Sequence, residues 1–370
     1  MTTVLHLIDT GGPGGAETLL HQLVAGFAAA GHQNVVVISR DSWLADRIRE
    51  LGISPIILLS EGSFNVGYLR ALMRLIRESR PDIIFAHLYG SAIYGSIAGR
   101  IASVPVVTVL HGQSDVDPAA RFAGLKAWAV RGGARRIVFV SRQLAGDLAA
   151  RLGLDEARYE VIENGIDVEA FQPGSDPTLR HEIGLAADGL LVGAIGNVRA
   201  PKAYDVLLDA ARIVCDRNDR VRFVVAGQGD GALQDALLAQ RERLALADRF
   251  HFLGFRGDTS TVLRGLDVFV LSSRTEGFSI ACLEAMACGV PVVATRSGGP
   301  EAIVVDGESG LLVPPGSPAA LADAVLRLLG DPGLRQRLAA GGRTRVVEHF
   351  DERRMLARYR SLVDKVVAGS

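Results

Sequence analysis

Short apolar, β-branched runs alternate with helix-period segments along the whole chain, and this alternation restricts the fold more than any other feature. The runs fall at 4–8, 35–39, 55–58, 83–86, 106–110, 137–140 and 159–162, then at 190–195, 221–226, 250–252, 268–271, 292–294 and 310–313. Strands that are apolar throughout and spaced by helices belong to parallel sheets covered on both faces. A single twisted sheet rarely holds so many strands, and 370 residues exceed one ordinary core. The expectation is therefore an α/β protein of two doubly wound, Rossmann-like domains facing a central cleft. Gly165, Pro173, Gly174, Ser175 and Pro177 collect between 164 and 188, so the boundary belongs there. Residues 1–167 form the first expected domain and 168–350 the second. Residues 351–370 form a terminal helix, with Met355, Leu356, Tyr359, Leu362, Val363 and Val366 at helical spacing.

Composition excludes several function classes. Hydrophobic residues make up 48% and charged residues 22%, the balance of a packed globular protein. A formal net charge of −1 gives no electrostatic reason for a nucleic-acid partner. Cys215, Cys282 and Cys288 form no C-x-x-C pair, which suggests buried, reduced thiols in a cytoplasmic protein. No apolar run reaches the ~18 residues of a membrane span. The start, Val4-Leu5-His6-Leu7-Ile8, reads as a strand and not as a cleaved leader.

Four segments carry candidate chemistry. The richest is Thr275-Glu276-Gly277-Phe278-Ser279-Ile280-Ala281-Cys282-Leu283-Glu284, which reads strand, glycine-bearing loop, helix. Loop amides and a helix N-terminus can face an anion there, while Glu276 and Glu284 sit at different depths. Glycosidic hydrolysis needs two carboxyls about 5–9.5 Å apart across one bond. Eight helical residues rise roughly 12 Å, so two binding contacts suit the spacing better than an acid/base couple. Gly289 and Pro291 stop that helix after roughly ten residues.

The second segment, Thr10-Gly11-Gly12-Pro13-Gly14-Gly15, leaves a strand and opens a helix, so it is either a tight turn or a ligand-facing loop. Glu17 stands where the third glycine of G-x-G-x-x-G belongs, which removes the main support for an oxidoreductase. No P-loop pattern occurs. The third, Gly196-Asn197-Val198-Arg199-Ala200-Pro201-Lys202, leaves the first strand of the second half. Lys202 is one of only three lysines, with Lys126 and Lys365, in an arginine-rich chain, and with Arg199 it lies where doubly wound sheets bind ligands. The fourth holds His111, which ends a strand beside Gly112, with Asp115-Val116-Asp117 just beyond. A site histidine and a structural one are equally consistent with that position, and the short D-x-D favours a solvated loop over a metal site. The other histidines show no metal-binding spacing.

Together these segments resemble the retaining glycosyltransferases of family 4, which have the GT-B fold. The resemblance runs nearly the whole chain, through Gly14-Gly15-Ala16-Glu17, His111-Gly112, Val140-Ser141, Asn164-Gly165-Ile166-Asp167 and Phe252-Leu253-Gly254-Phe255. It continues from Glu276 to Glu284 and through Gly289-Val290-Pro291, Gly298-Gly299-Pro300-Glu301 and Gly310-Leu311-Leu312-Val313. It implies that Glu276 holds donor-sugar hydroxyls and Glu284 the nucleotide ribose, with the amides of Gly277, Phe278, Ser279 and Ile280 facing sugar and phosphates. Lys202 matches the diphosphate lysine and His111 a histidine near the transferred sugar. Gly14 and Gly15 match the loop beside the phosphate, and the main chain near Phe255 and Arg256 the reader of the base. It also implies that the terminal helix crosses back to the first domain. Two positions depart from the family. Asn197 replaces the usual arginine, leaving Arg199 as the candidate for that charge, and Ala203 replaces the usual glycine.

The expected activity is transfer of a sugar from a UDP- or GDP-type donor to a glycan or lipid-linked acceptor, with retained configuration and without a metal or other cofactor. Cell-envelope or extracellular polysaccharide synthesis is the expected setting. An epimerase or phosphorylase on the same architecture, or a non-catalytic nucleotide-sugar binder, are the alternatives. The segment from Arg121 to Arg136, in which basic residues surround Phe122, Leu125 and Trp128, is a candidate for peripheral contact with a membrane.

Overall fold

The computed structural model describes residues 1–59, 65–112 and 122–369. The chain divides into two compact units, Met1–Asn164 with Arg353–Ser370, and Gly165–Glu352. The first division thus lies just before the expected 167/168. In the N-terminal unit the strands are β1 (Thr3–Ile8), β2 (Gln33–Ile38), β3 (Ile56–Ile57), β4 (Ile83–His87), β5 (Val106–Leu110), β6 (Arg136–Phe139) and β7 (Tyr159–Val161). In the C-terminal unit they are β8 (Leu190–Ile195), β9 (Val221–Ala226), β10 (Phe250–Gly254), β11 (Val268–Leu271), β12 (Val292–Thr295) and β13 (Leu311–Val313).

The spatial orders are β3-β2-β1-β4-β5-β6-β7 and β10-β9-β8-β11-β12-β13, with every strand pairing parallel. Both are Rossmann-type windings, whose order reverses between β1 and β4 in one unit and between β8 and β11 in the other. The central strands are apolar because both faces are covered: β4, β5 and β11 are buried at every residue. Strands β8 and β11 pair only at Val192↔Val268 and Gly193↔Phe269. Beyond those pairs the two strands run on without a shared register, so their carboxyl ends are not paired to each other.

The terminal helix Glu352–Val367 buries Met355, Tyr359, Leu362, Val363 and Val366. The Tyr359 ring lies 6.1 Å from Phe85 of β4, so burial of this apolar stripe ties the helix to the N-terminal unit. The preceding helix, Pro332–His349, belongs to the C-terminal unit, and the chain's two crossings run side by side. Ile166 N donates to Phe350 O at 2.9 Å, and Glu352 N donates to Ile166 O at 2.9 Å. Cys215, Cys282 and Cys288 are buried free thiols. Among the described residues no helix is long and apolar enough to cross a membrane.

Candidate active site

In the C-terminal unit the loops after β8 and β11 flank the point where the strand order reverses, and they are stitched together. Arg274 N donates to Pro201 O at 2.7 Å, and Ser272 Oγ to Lys202 O at 2.8 Å. The Arg274 guanidinium grips both carboxylate oxygens of Asp205 at 2.9 and 2.6 Å. This frame brings Lys202 Nζ to 2.7 Å from Glu276 Oε2, with the two side chains only 22% and 14% exposed. The pair is charge-assisted and shielded from bulk water on most sides, so each partner offsets the desolvation of the other.

Gly196 makes room for the lysine. Its φ of +153° lies in a region that side chains rarely adopt, and a Cβ there would meet Lys202 Cε at 3.1 Å and Tyr204 Oη at 3.2 Å. The buried Tyr204 hydroxyl donates to Gly196 O at 2.7 Å and closes this corner. Ala203 takes φ +53°, ψ +47°, the left-handed conformation that accounts for a glycine at this place in the family pattern.

Downstream, Glu276 N donates to Ser297 O at 2.8 Å and Gly299 N to Glu276 O at 2.7 Å, which pins the loop to the segment after β12. Phe278 is buried with its ring 6.0 Å from Phe350. Ser279 caps the helix Ile280–Ala287, its Oγ accepting from Cys282 N at 3.3 Å. That helix has eight residues instead of the expected ten, ended by Gly289 at φ +69°. Glu284 lies within it, half-buried, and desolvation pushes its carboxyl up to about 7.

The remaining expected residues occupy separate places. Arg199 is exposed and its guanidinium has no hydrogen-bond or ion-pair partner among the described residues. Asn197 Oδ1 accepts from Gln228 N at 3.1 Å, bracing the β8 loop against the β9 loop. Phe255, just past β10, is 46% exposed. The Arg256 side chain turns to Glu182, donating to its two oxygens at 3.1 and 2.5 Å, which leaves only its main chain for a ligand.

In the N-terminal unit Gly14 precedes the helix Gly15–Ala29 as its N-cap. The carboxylate of the buried Glu17 folds back against Gly14, a favourable place for a negative charge beside a helix N-terminus. His111 follows β5, with its ring 5.7 Å from that of His87, which is 6.2 Å from His6. Burial pulls His111 down to about 3 and His6 to about 4, so both imidazoles are neutral near pH 7. Asp115, Asp117 and Arg121 lie outside the described residues. Among the described residues no cluster of His, Cys, Asp and Glu is placed to hold a metal ion.

Sequence reasoning passed over Ser272, Ser273, Tyr204, Thr295 and Ser297. The one local signal was a Ser-Ser pair directly after an apolar strand, where polar residues at a carboxyl edge line sites.

Two Rossmann-like units of this kind make a GT-B glycosyltransferase fold. Residues 13–170 match the family model described as Glycosyltransferase Family 4, and residues 189–331 the one described as Glycosyl transferases group 1. A D-inositol 3-phosphate glycosyltransferase of Frankia alni is 34% identical over 280 residues, covering 70% of this chain and 68% of the relative. The enzyme of the same name from Streptomyces bingchenggensis is 32% identical over 286 residues, covering 72% of this chain and 62% of that relative. The crystal structure of Anabaena Alr3699/HepE in complex with UDP-glucose superposes with a TM-score of 0.88 at 23% identity, covering all of both chains. The chain belongs to the family 4 glycosyltransferases.

Proposed function

We propose that the protein transfers a sugar from a nucleoside-diphosphate sugar to an acceptor with the anomeric configuration retained, and that it needs no metal to do so. The observation that carries this reading is the Lys202–Glu276 pair at the unpaired carboxyl ends of β8 and β11. A diphosphate leaving group gathers negative charge as the glycosidic bond breaks. Lys202, the unpartnered Arg199 and the amides at the start of Ile280–Ala287 supply fixed positive potential for it. Glu276 accepts hydrogen bonds from donor-sugar hydroxyls, and Glu284 from the ribose. The neutral His111 of the N-terminal unit is assigned to the transferred sugar by its match to the family histidine. No side chain is placed as a nucleophile in this scheme. The acceptor attacks on the face the phosphate leaves, and the departing phosphate oxygen takes its proton.

The donor is of the UDP or GDP type, and UDP-glucose, the ligand of the Anabaena structure, is the first to try. The acceptor is a glycan or lipid-linked sugar of the cell envelope. The name of the Frankia alni and Streptomyces bingchenggensis relatives, D-inositol 3-phosphate glycosyltransferase, favours a second acceptor class, a small phosphorylated cyclitol, so both belong in one assay. A nucleotide panel screened by thermal shift, then donor turnover with each acceptor in EDTA, tests the reading. Retained configuration in the product and full activity in EDTA are expected. An inverted product, or activity that returns only with added metal, sinks the corresponding part. Saturable binding without turnover for any acceptor favours the non-catalytic binder, and interconversion or phosphorolysis of the donor favours an epimerase or phosphorylase.

Peripheral membrane contact through Arg121–Arg136 remains part of the proposal. Leu125 and Trp128 on the helix Ala123–Gly133 are 63% and 59% exposed, beside exposed Arg131 and Arg135. Binding to anionic liposomes that is lost on neutralising Arg131, Arg135 and Arg136 is expected; wild-type protein that ignores such liposomes ends this part.

A further inference from the structure

We propose that Ser273 is a positioning residue for the Glu276 carboxylate, acting through a closed circuit of hydrogen bonds that includes Thr295 and Ser297. The inference rests on the assignment of Glu276 to the donor sugar and adds the device that aims it. Ser273 lies just past the end of β11, and Thr295 ends the neighbouring strand β12. Ser273 Oγ donates to Glu276 Oε2 at 3.1 Å, the same oxygen that receives Lys202 Nζ at 2.7 Å. The carbonyl of Ser273 accepts from Thr295 Oγ1 at 2.6 Å. The Ser297 hydroxyl lies 3.2 Å from Thr295 Oγ1 and donates to the Thr295 carbonyl at 3.3 Å. The Ser297 carbonyl then accepts from Glu276 N at 2.8 Å. The path leaves Glu276 by its side chain and returns to it by its backbone.

Ser273, Thr295 and Ser297 are 0%, 1% and 7% exposed, so every hydroxyl in the circuit is shut off from bulk water. Buried hydroxyls are costly unless bonded, and a fully bonded circuit in a low-dielectric setting holds one arrangement. Two donors converge on Oε2, and none among the described residues reaches Oε1. A carboxylate with one oxygen held twice and the other left open is fixed in rotation about its last bond. Oε1 is therefore the oxygen presented to a substrate hydroxyl. The Lys202 ammonium is a single point charge on Oε2, and one contact to one oxygen leaves the carboxylate free to turn about its last bond; the Ser273 hydroxyl supplies the second contact that stops it.

The test separates positioning from plain support of the fold. Ser273→Ala is expected to lower kcat by roughly 10-fold or more while nucleotide affinity stays within about twofold, the pattern of an interaction expressed only in the transition state. Ser273→Thr, which keeps the hydroxyl, restores most of the loss. Added to Glu276→Ala, the Ser273→Ala change should cost nothing further in single-turnover donor cleavage. Wild-type kcat in Ser273→Ala overturns the proposal, as does an equal loss in both backgrounds. Should Ser273→Ala fail to fold, Thr295→Val breaks the circuit one bond further back. It must show the same split between kcat and nucleotide affinity, and an unchanged kcat again overturns the proposal. A Glu276→Ala enzyme with normal turnover would instead remove the donor-site reading beneath it.

Discussion

The two units wind their sheets in the same order yet fill the reversal point with opposite chemistry. In the N-terminal unit β1 and β4 stay paired to their ends, Ile8 against His87. His6 and His87 stack there, with the Phe85 ring 5.8 Å from His6. In the C-terminal unit β8 and β11 part company beyond Gly193 and Phe269, and an ion pair braced by serine and threonine hydroxyls lies at those ends. At one edge the strands are paired to their ends and carry stacked imidazoles; at the other they are unpaired and carry a part-buried ion pair. Topology thus decides where a ligand can sit in such a sheet, and residue type decides what charge it meets.

Breaking the charged edge should have the largest effect. Glu276→Ala is expected to lower turnover about 100-fold or more, the scale of a lost transition-state contact, with nucleotide affinity nearly unchanged. Lys202→Ala should behave differently, weakening nucleoside diphosphates about 10-fold or more and leaving nucleosides unaffected. Titration calorimetry with diphosphate and nucleoside, beside steady-state rates, checks both; matching losses for the two ligands would remove Lys202 from the phosphate.

The next comparison uses pH, because the units should respond with opposite sign. Glu284 is raised to about 7, so the folded C-terminal unit keeps a proton that the unfolded chain releases above its ordinary value of 4.5. Its contribution therefore erodes as pH rises from 4.5 towards 7 and above. His6 and His111 are lowered to about 4 and about 3, and His87 well below 6.5, so the unfolded chain takes up protons that the folded N-terminal unit refuses. That unit should lose stability as pH falls from 6.5 towards those values. Hydrogen exchange on the whole chain at pH 5 and pH 8 should show protection shifting between the units in these directions, and parallel changes would refute the contrast. Nucleotide binding sharpens it: an ionised Glu284 accepts ribose hydroxyls, so affinity should rise about tenfold between pH 6 and pH 8 for a carboxyl near 7. Glu284→Gln should flatten that rise.

The smallest expected effect concerns local strain at the same edge. Ala203 holds a left-handed conformation that glycine adopts freely. Ala203→Gly should therefore stabilise the C-terminal unit by roughly 0.5–1 kcal/mol, with turnover unchanged. A lower melting temperature would mean that the methyl group's burial outweighs the strain.

The alternation of apolar runs was sufficient to count and place the thirteen strands of the described residues, because a strand buried on both faces must be apolar along its length. Its errors were at strand ends: β3 is only Ile56–Ile57, and β10 runs on to Gly254, where pairing stops for reasons a single run does not contain. Glu276 and Glu284 were visible as a spaced pair, since a loop-to-helix segment rich in glycine is a local pattern. Ser273 and Thr295 were not, because their meaning lies in a hydrogen bond between residues 22 positions apart. The main chain at Arg256 was marked by the family pattern, but the hold of Glu182 on its guanidinium, from 74 positions away, was not legible there. What the sequence by itself determined was the class of fold and the family, and it marked the two carboxylates as a candidate pair; all three depend on neighbours along the chain. Only the tertiary structure decided which oxygen of Glu276 is held, which cations are free and which imidazoles stay neutral, because burial and hydrogen bonding join residues that the sequence keeps far apart.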